Sequence, residues 1–202
     1  VMKIIVWNSQ DKCVADYHKL IRGCDVLCLL DCGQWTVPVY ALQIQNGLFH
    51  WKDEHEGLSY DIFYCLEKVA FVCRDGLYSG ESVLYSIHSN IGSLIGIRLQ
   101  DDFWLFAHHE PNLVNAYHIG EFYLREISDR FRKAAFIADF KKKSYSWVQE
   151  TVGKLYCIAL PEGYYPHTVN YLFTIHVACT DLYLLEGYSE TSNQPTFFEL
   201  DI

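Results

Sequence analysis

Basic residues are scarce in this sequence. Its 202 residues contain 16 Lys and Arg against 25 Asp and Glu, which gives a formal net charge of −9 at pH 7. A protein that coats nucleic acid without sequence preference needs Lys and Arg to contact phosphates. The charge therefore argues against strong nucleic-acid binding, although a local basic patch or a bound cation could reverse it at one site.

Long apolar runs are also lacking. The longest have the length of a β-strand, which is too short for a helix that crosses a bilayer. No charged segment followed by an apolar one precedes the strand-like "KIIVW", which starts directly after Met2. We expect no membrane span, and a cytoplasmic protein if Met2 is the native start or a secreted one if a leader was removed.

Cysteine pairs with metal-binding spacing are missing as well. The eight Cys include no CxxC pair and no zinc-type Cys/His pattern. Cys24, Cys28 and Cys32 recur at every fourth position, which would place them on one face of a strand. We interpret them as buried free thiols rather than as part of a disulfide scaffold.

The composition is that of a chain with a large core. Half of the residues are hydrophobic and 16% are aromatic, so disorder is not expected. No repeat, low-complexity tract or Pro/Gly/Ser linker divides the sequence. We predict a single domain over residues 1–202.

Strand-like segments dominate the pattern. A helix is predicted over residues 11–22 and another over 118–132, while five closely spaced strands are predicted between 59 and 109. The other predicted strands are "KIIVWNSQ", "CDVLCLLDCG", "AAFIADF", "KLYCIALPEG", "VNYLFTIHVA", "DLYLLEGY" and "TFFELDI". This order predicts an α+β protein in which two packed sheets carry helices on their outer sides.

Several predicted strands end on a polar residue. Asn8, Asp31, His108 and Asp139 occupy such positions. Side chains at strand ends are held by a rigid sheet, which is where sites are commonly built. These four residues are our first site candidates.

The motifs around these residues resemble a known family. "KIIVWNSQ", "DVLCLLDCG", "GIRLQDDFWLFAHHE", "FIADF", "VNYLFTI" and "SNQPTFFEL" follow the motif order of the endonuclease/exonuclease/phosphatase superfamily. "DVLCLLDCG" is similar to the "DIL-VQEAG" of the nuclease (B) subunit of cytolethal distending toxin. The resemblance implies an α/β fold, the four-layer deoxyribonuclease I-like sandwich of two packed β-sheets with flanking helices.

The resemblance also implies roles in a metal-assisted attack of water on a phosphate ester. Asn8 and Asp31 match the positions that hold Mg²⁺, a cation that takes oxygen ligands. His108 matches the His that stabilises the phosphate, and Asp139 the Asp that positions the attacking water. Arg125 matches an Arg that contacts phosphate.

The sequence departs from the family at the positions that carry the acid–base chemistry. The family's "SDH" reads Ser192, Asn193 and Gln194 here, so amides replace the His and its Asp partner. Asn170 replaces another Asp, and Lys141 replaces the Asn of "GDFN". General acid–base catalysis contributes roughly 10²- to 10⁴-fold in rate, and an amide supplies none of it. In that reading Lys141 fills the place of a cation and contacts phosphate or Asp139.

These features predict a catalytically degenerate protein that acts by binding a partner protein or a phosphate-bearing ligand. Partners like the toxin's other subunits would follow from the resemblance, and no cofactor is expected. The alternative is an active Mg²⁺-dependent phosphodiesterase or phosphatase, in which His167 or His176 replaces the lost base.

Overall fold

The structure is a computed structural model that describes residues 1–9, 19–32, 37–54, 56–65, 68–88, 91–108, 127–138, 153–158, 171–186 and 194–202. Fourteen β-strands lie within these ranges. They are β1 (Met2–Asn8), β2 (Val26–Leu30), β3 (Leu42–Gln45), β4 (Leu48–Lys52), β5 (Ser59–Cys65), β6 (Val69–Arg74), β7 (Tyr78–His88), β8 (Ile91–Leu99), β9 (Phe103–His108), β10 (Lys133–Ala138), β11 (Lys154–Cys157), β12 (Tyr171–Ile175), β13 (Ala178–Leu184) and β14 (Thr196–Asp201).

The strands form two mixed sheets. The eight-stranded sheet has the order β13-β14-β1-β2-β6-β5-β4-β3, and the six-stranded sheet has the order β11-β12-β10-β9-β8-β7. Each sheet contains one parallel pair, β1 with β2 and β9 with β10, and the remaining pairs are antiparallel. The carboxyl ends of two neighbouring parallel strands therefore lie together at one edge of each sheet.

The main core lies between the two sheets. Ile4 and Val6 of β1 pack there with Cys28 of β2, and Leu105 and Ile137 come from the other sheet. The apolar run of β2 is buried along its whole length because its alternate residues enter a second cluster on the outer face.

The outer faces of both sheets are covered by apolar layers that include helical residues. Residues 19–21 are helical, and Leu20 and Ile21 pack on the outer face of the eight-stranded sheet. Residues 127–130 are helical beside the six-stranded sheet. There the ring of Phe131 lies with its centroid 4.8 Å from those of Trp104 and Phe106. The prediction of two packed sheets with outer helices is confirmed, and most of both predicted helices lies outside the described residues.

Three details of the sequence prediction were wrong. The hairpin of β3 and β4 was not predicted, and β13 begins at Ala178 rather than at Asp181. Cys24, Cys28 and Cys32 are free and buried, but Cys28 packs between the sheets whereas Cys24 and Cys32 pack on the outer face. The reason is that only Val26–Leu30 is a strand, so the two-residue alternation does not extend to Cys24 and Cys32.

In the part of the chain that the structure describes, no helix is long and apolar enough to span a membrane.

Candidate functional site

Asn8 and Gln194 lie at one edge of the eight-stranded sheet. The antiparallel pairing of β1 with β14 ends at Val6 with Thr196, and two further residues along each strand lead to Asn8 and Gln194. The Leu185 amide donates to the Pro195 carbonyl at 2.9 Å, which holds the segment before β14 in the sheet. Asn8 is buried and follows the alternation that places Ile4 and Val6 between the sheets.

Gln194 brings a carboxamide to this edge. Its Oε1 is buried and has no hydrogen-bond partner among the described residues. Buried carbonyl oxygens are normally satisfied, so this atom is suited to accept a hydrogen bond. A carboxamide oxygen accepts a hydrogen bond but does not take up a proton near neutral pH.

Asp31 follows β2 directly, one residue beyond the pairing of Asn8 with Leu30. Its φ of 51° lies in the left-handed region, which Asp adopts more readily than most residues. Its Oδ1 lies 3.0 Å from Nζ of Lys68, in the turn between β5 and β6. The Cys32 amide also donates to the Lys68 carbonyl at 3.1 Å, so the turn and the end of β2 are joined through main chain and side chain.

Lys68 was missed by the sequence analysis, which assigned the role of an internal cation to Lys141. The available signal was the hairpin formed by "SYDIFYCLE" and "KVAFVCRDG", since Lys68 lies at its turn. Because β6 pairs antiparallel with β2, that turn meets the carboxyl end of β2. Lys141 lies outside the described residues.

Only part of the predicted Mg²⁺ site at this edge lies within the described residues. Mg²⁺ is usually bound through one or two carboxylates together with waters and phosphate oxygens. Among the residues that the structure describes here, Asp31 supplies the one carboxylate, and an ammonium already lies against it. Asn8 and Gln194 supply neutral amides. We therefore attribute no step to a bound Mg²⁺ at this position.

His108 ends β9 in the other sheet and is buried. It pairs with Ala138 of β10 and with Leu94 of β8. Phe103, Leu105 and Ala107 face the core between the sheets, so alternation places His108 on the opposite face, with Trp104 and Phe106. The parallel register brings the residue before Asp139 next to His108.

The remaining predicted site residues lie outside the described residues. They are Arg125, Asp139, Lys141, Asn170 and Asn193, and the alternative base His167 lies there too. Their assigned roles stay predictions.

His176 is described, and it lies at the wrong end of the sheet to replace a base beside His108. It follows Ile175, which pairs with Ala134, whereas His108 pairs with Ala138 four residues further along β10. At 3.2–3.4 Å per residue the two rows are about 13 Å apart. His176 is exposed in the turn between β12 and β13, which excludes it as the substitute base of that site.

The chain is similar in structure to several solved proteins. It matches an endonuclease/exonuclease/phosphatase protein from Beutenbergia cavernae with a TM-score of 0.60 and 12% identity, over 98% of this chain and 71% of that one. It matches the human Nocturnin catalytic domain with bound sulfate with a TM-score of 0.60 and 12% identity, over 99% and 94%. A 3′–5′ exonuclease from Neisseria meningitidis matches with a TM-score of 0.54 and 14% identity, over the whole of both chains.

No family model matches the sequence, and no curated protein matches it either. Structural likeness at 12–14% identity shows the fold, and at this level the predicted resemblance is confirmed. The closer likeness to the toxin subunit stays a prediction. Activities of the matched proteins do not transfer with the fold, because function depends on the site that a fold carries.

Proposed function

We propose that this chain, which has the deoxyribonuclease I-like fold of endonuclease/exonuclease/phosphatase proteins, is a catalytically degenerate form of that fold and acts by binding a partner protein. The observation that carries the proposal is the ion pair of Asp31 with Lys68. The carboxylate at the end of β2 is neutralised by the protein's own ammonium. A divalent cation would compete with that ammonium for the Asp31 carboxylate, in a pair that solvent partly screens.

The identity of Gln194 supports the same conclusion. The resembled family carries an imidazole at this position, just before the last strand. This chain carries the Gln194 carboxamide there, which neither donates a proton as an acid nor accepts one as a base. The described imidazole that was considered as a substitute, His176, lies at the far end of the other sheet. Among the described side chains at this edge, no imidazole is present to activate water.

Edge strand β3 supports the binding of a partner protein. In β3, Leu42 is 65% exposed and Ile44 is 56% exposed, and Val39, in the turn before the strand, is 93% exposed. β3 is the last strand of its sheet and pairs only with β4 among the described strands. An exposed apolar edge strand offers main-chain donors and acceptors together with apolar side chains, which is how proteins capture an extended segment of a partner.

A hydrolysis assay tests the catalytic part of the proposal. Wild-type protein is incubated with Mg²⁺ and bis(p-nitrophenyl) phosphate, supercoiled plasmid or a phosphoinositide. We expect no release of product above that of Asp31→Asn and His108→Ala variants, and no heat of Mg²⁺ binding in calorimetry. Mg²⁺-dependent turnover that disappears in His108→Ala would overturn the proposal and favour the active phosphodiesterase or phosphatase.

A peptide-display selection tests the binding part. Random peptides are selected on the immobilised wild-type chain, and we expect enrichment of extended apolar sequences that no longer bind Leu42→Lys. Leu84→Lys is the matched control, because Leu84 is an exposed leucine of β7 in the other sheet. Selected peptides that bind both variants equally would contradict β3 as the docking strand.

A further inference from the structure

We propose that His50, Asp61 and Asp75 bind a first-row divalent transition ion, Mn²⁺ or Zn²⁺. The three side chains come from three neighbouring segments of the eight-stranded sheet. One ligand atom from each residue lies within 4.8 Å of the others. The inference does not depend on the proposed function.

The backbone brings the three side chains together. His50 of β4 and Asp61 of β5 are direct cross-strand partners, and His50 Nδ1 lies 3.1 Å from Asp61 Oδ1. Asp75 directly follows β6, and its amide donates to the carbonyl of Ser59 at 2.9 Å. That bond fixes Asp75 beside the start of β5.

The surroundings of this group differ from those of several other acidic side chains. Asp25 pairs with Arg74, Glu56 with Arg22, and Glu81 and Asp102 of the other sheet with Arg98. Within the described ranges, Asp61 and Asp75 have no Lys or Arg at ion-pair distance, and the imidazole of His50 is the basic group in contact with Asp61. Two carboxylates thus converge beside an imidazole, and the basic group in contact with Asp61 is that imidazole rather than an Arg or Lys.

The ligand set selects the class of ion. Imidazole nitrogen suits Zn²⁺ and other first-row transition ions, whereas Mg²⁺ and Ca²⁺ prefer oxygen ligands throughout. Ligand distances near 2.0–2.2 Å place two ligand atoms of a tetrahedral ion about 3.4 Å apart. The three ligand atoms, which lie within 4.8 Å of one another, would therefore draw together on binding by side-chain rotation, and water would complete the coordination.

The Cys73 thiol lies next to the group, because Cys73 is the cross-strand partner of Asp61 on β6 and is fully buried. The ligand atoms that the geometry brings together are those of the imidazole and the two carboxylates.

The group is separate from the edge that carries Asp31. Cys73 of β6 pairs with Val26 of β2, while Val69 pairs with Leu30, the last residue before Asp31. Four residues of strand, about 13 Å, separate these two rows. An ion at His50 would thus lie toward the opposite edge of the same sheet.

Calorimetric titration of chelator-treated protein with Zn²⁺ and with Mn²⁺ tests the proposal. We expect one saturable site per chain, and a loss of affinity of about tenfold or more in each of His50→Gln, Asp61→Asn and Asp75→Asn, since even indirect partners of a metal affect affinity by 10–100-fold. An excess of Mg²⁺ should not compete. The matched controls are His176→Gln, an exposed imidazole, and Asp101→Asn, an exposed carboxylate.

Urea unfolding of the metal-free variants separates binding from folding. Variants that keep wild-type stability but bind the ion weakly support the site. Absence of a saturable site in the wild type, or unchanged affinity in all three variants, would overturn it and leave the His50–Asp61 contact as a hydrogen bond of the sheet. Asp31→Asn and His108→Ala should not alter the titration. A failure of the metal-site proposal can therefore be distinguished from a failure of the proposed function.

Discussion

Nζ of Lys68 lies 3.0 Å from Oδ1 of Asp31, and both residues have positive φ angles, 64° and 51°. The Lys68 amide also donates to the Cys65 carbonyl at 3.0 Å, which closes the turn between β5 and β6. Two turns with defined backbone geometry therefore bring the ammonium and the carboxylate together. The backbone geometry of the two turns, together with the conformations of the two flexible side chains, sets the position of the ion pair.

A double-mutant cycle with Asp31→Asn and Lys68→Met measures the strength of this pair. Both side chains are partly exposed, so solvent screens their attraction. We expect a coupling free energy below about 1 kcal/mol that falls when the salt concentration rises. Urea unfolding at low and high salt provides the measurement. A coupling of several kcal/mol that is insensitive to salt would contradict a solvent-screened pair.

The buried thiols predict a loss of stability at alkaline pH. Burial raises the pKa of Cys24 from 9.0 to about 12, and burial also raises the pKa values of Cys28 and Cys73. Above pH 9 the unfolded chain releases these protons while the folded chain keeps them. The free energy of unfolding should therefore be fully retained below pH 9 and fall from there to the folded pKa, by about 1.4 kcal/mol per thiol between pH 8 and 10.

Removal of one thiol isolates its share of this pH dependence. Cys24→Ala should reduce the loss between pH 8 and 10 by about 1.4 kcal/mol, as measured by urea unfolding at both pH values. Val72→Ala, a truncation of a buried side chain without a thiol, should lower stability equally at both. An identical pH dependence in Cys24→Ala and in the wild type would contradict the prediction.

Gly96 is required by the aromatic layer on the six-stranded sheet. A Cβ at this position would overlap the Phe106 ring and lie 3.0 Å from Cγ2 of Val83. The Phe106 ring cannot move away freely because Trp104 and Phe131 pack against it. Gly96→Ala should therefore cost about 1–3 kcal/mol of unfolding free energy.

Thermal or urea unfolding measures that cost against a control glycine. Gly23→Ala should change stability by less than about 0.5 kcal/mol, because its Cβ would have its nearest neighbour at an ordinary 3.5 Å. Equal stabilities for the two alanine variants would show that Phe106 shifts without cost.

Thr174 stabilises the turn between β12 and β13. Its buried hydroxyl donates to the carbonyl of Val177 at 2.7 Å. Thr174→Val should destabilise the protein by about 1–3 kcal/mol, because a carbonyl would lose its donor beside a buried side chain. Thr180→Val removes an exposed hydroxyl that bonds Glu199 and should cost less. Urea unfolding of both variants tests the difference.

The sequence was sufficient to predict most strands and their packing. Continuous apolar runs such as Val26–Leu30 and closely spaced alternating segments indicate two covered sheets, and the structure has them. The hairpin of β3 and β4 escaped notice because all four residues of β3 are exposed. A strand without a buried face lacks the contrast in hydrophobicity on which such predictions depend.

The contacts of the candidate site could not be predicted from the sequence. Asn8, Asp31 and Gln194 lie at one edge of the eight-stranded sheet, and their roles stay predictions. The partner of Asp31 was not predicted, because the contact with Lys68 depends on which strand neighbours β2. That neighbour is β6, and sequence periodicity carries no information about the order of strands in a sheet.

The place of β1 between β2 and β14 has a consequence for biosynthesis. Residues 2–8 are translated well before the strand at 196–201 that pairs with one side of β1. Until residues 196–201 are made, that side of an almost wholly apolar strand stays open to other nascent chains. This long-range pairing is therefore expected to form late in folding and to benefit from chaperones that shield this side of β1.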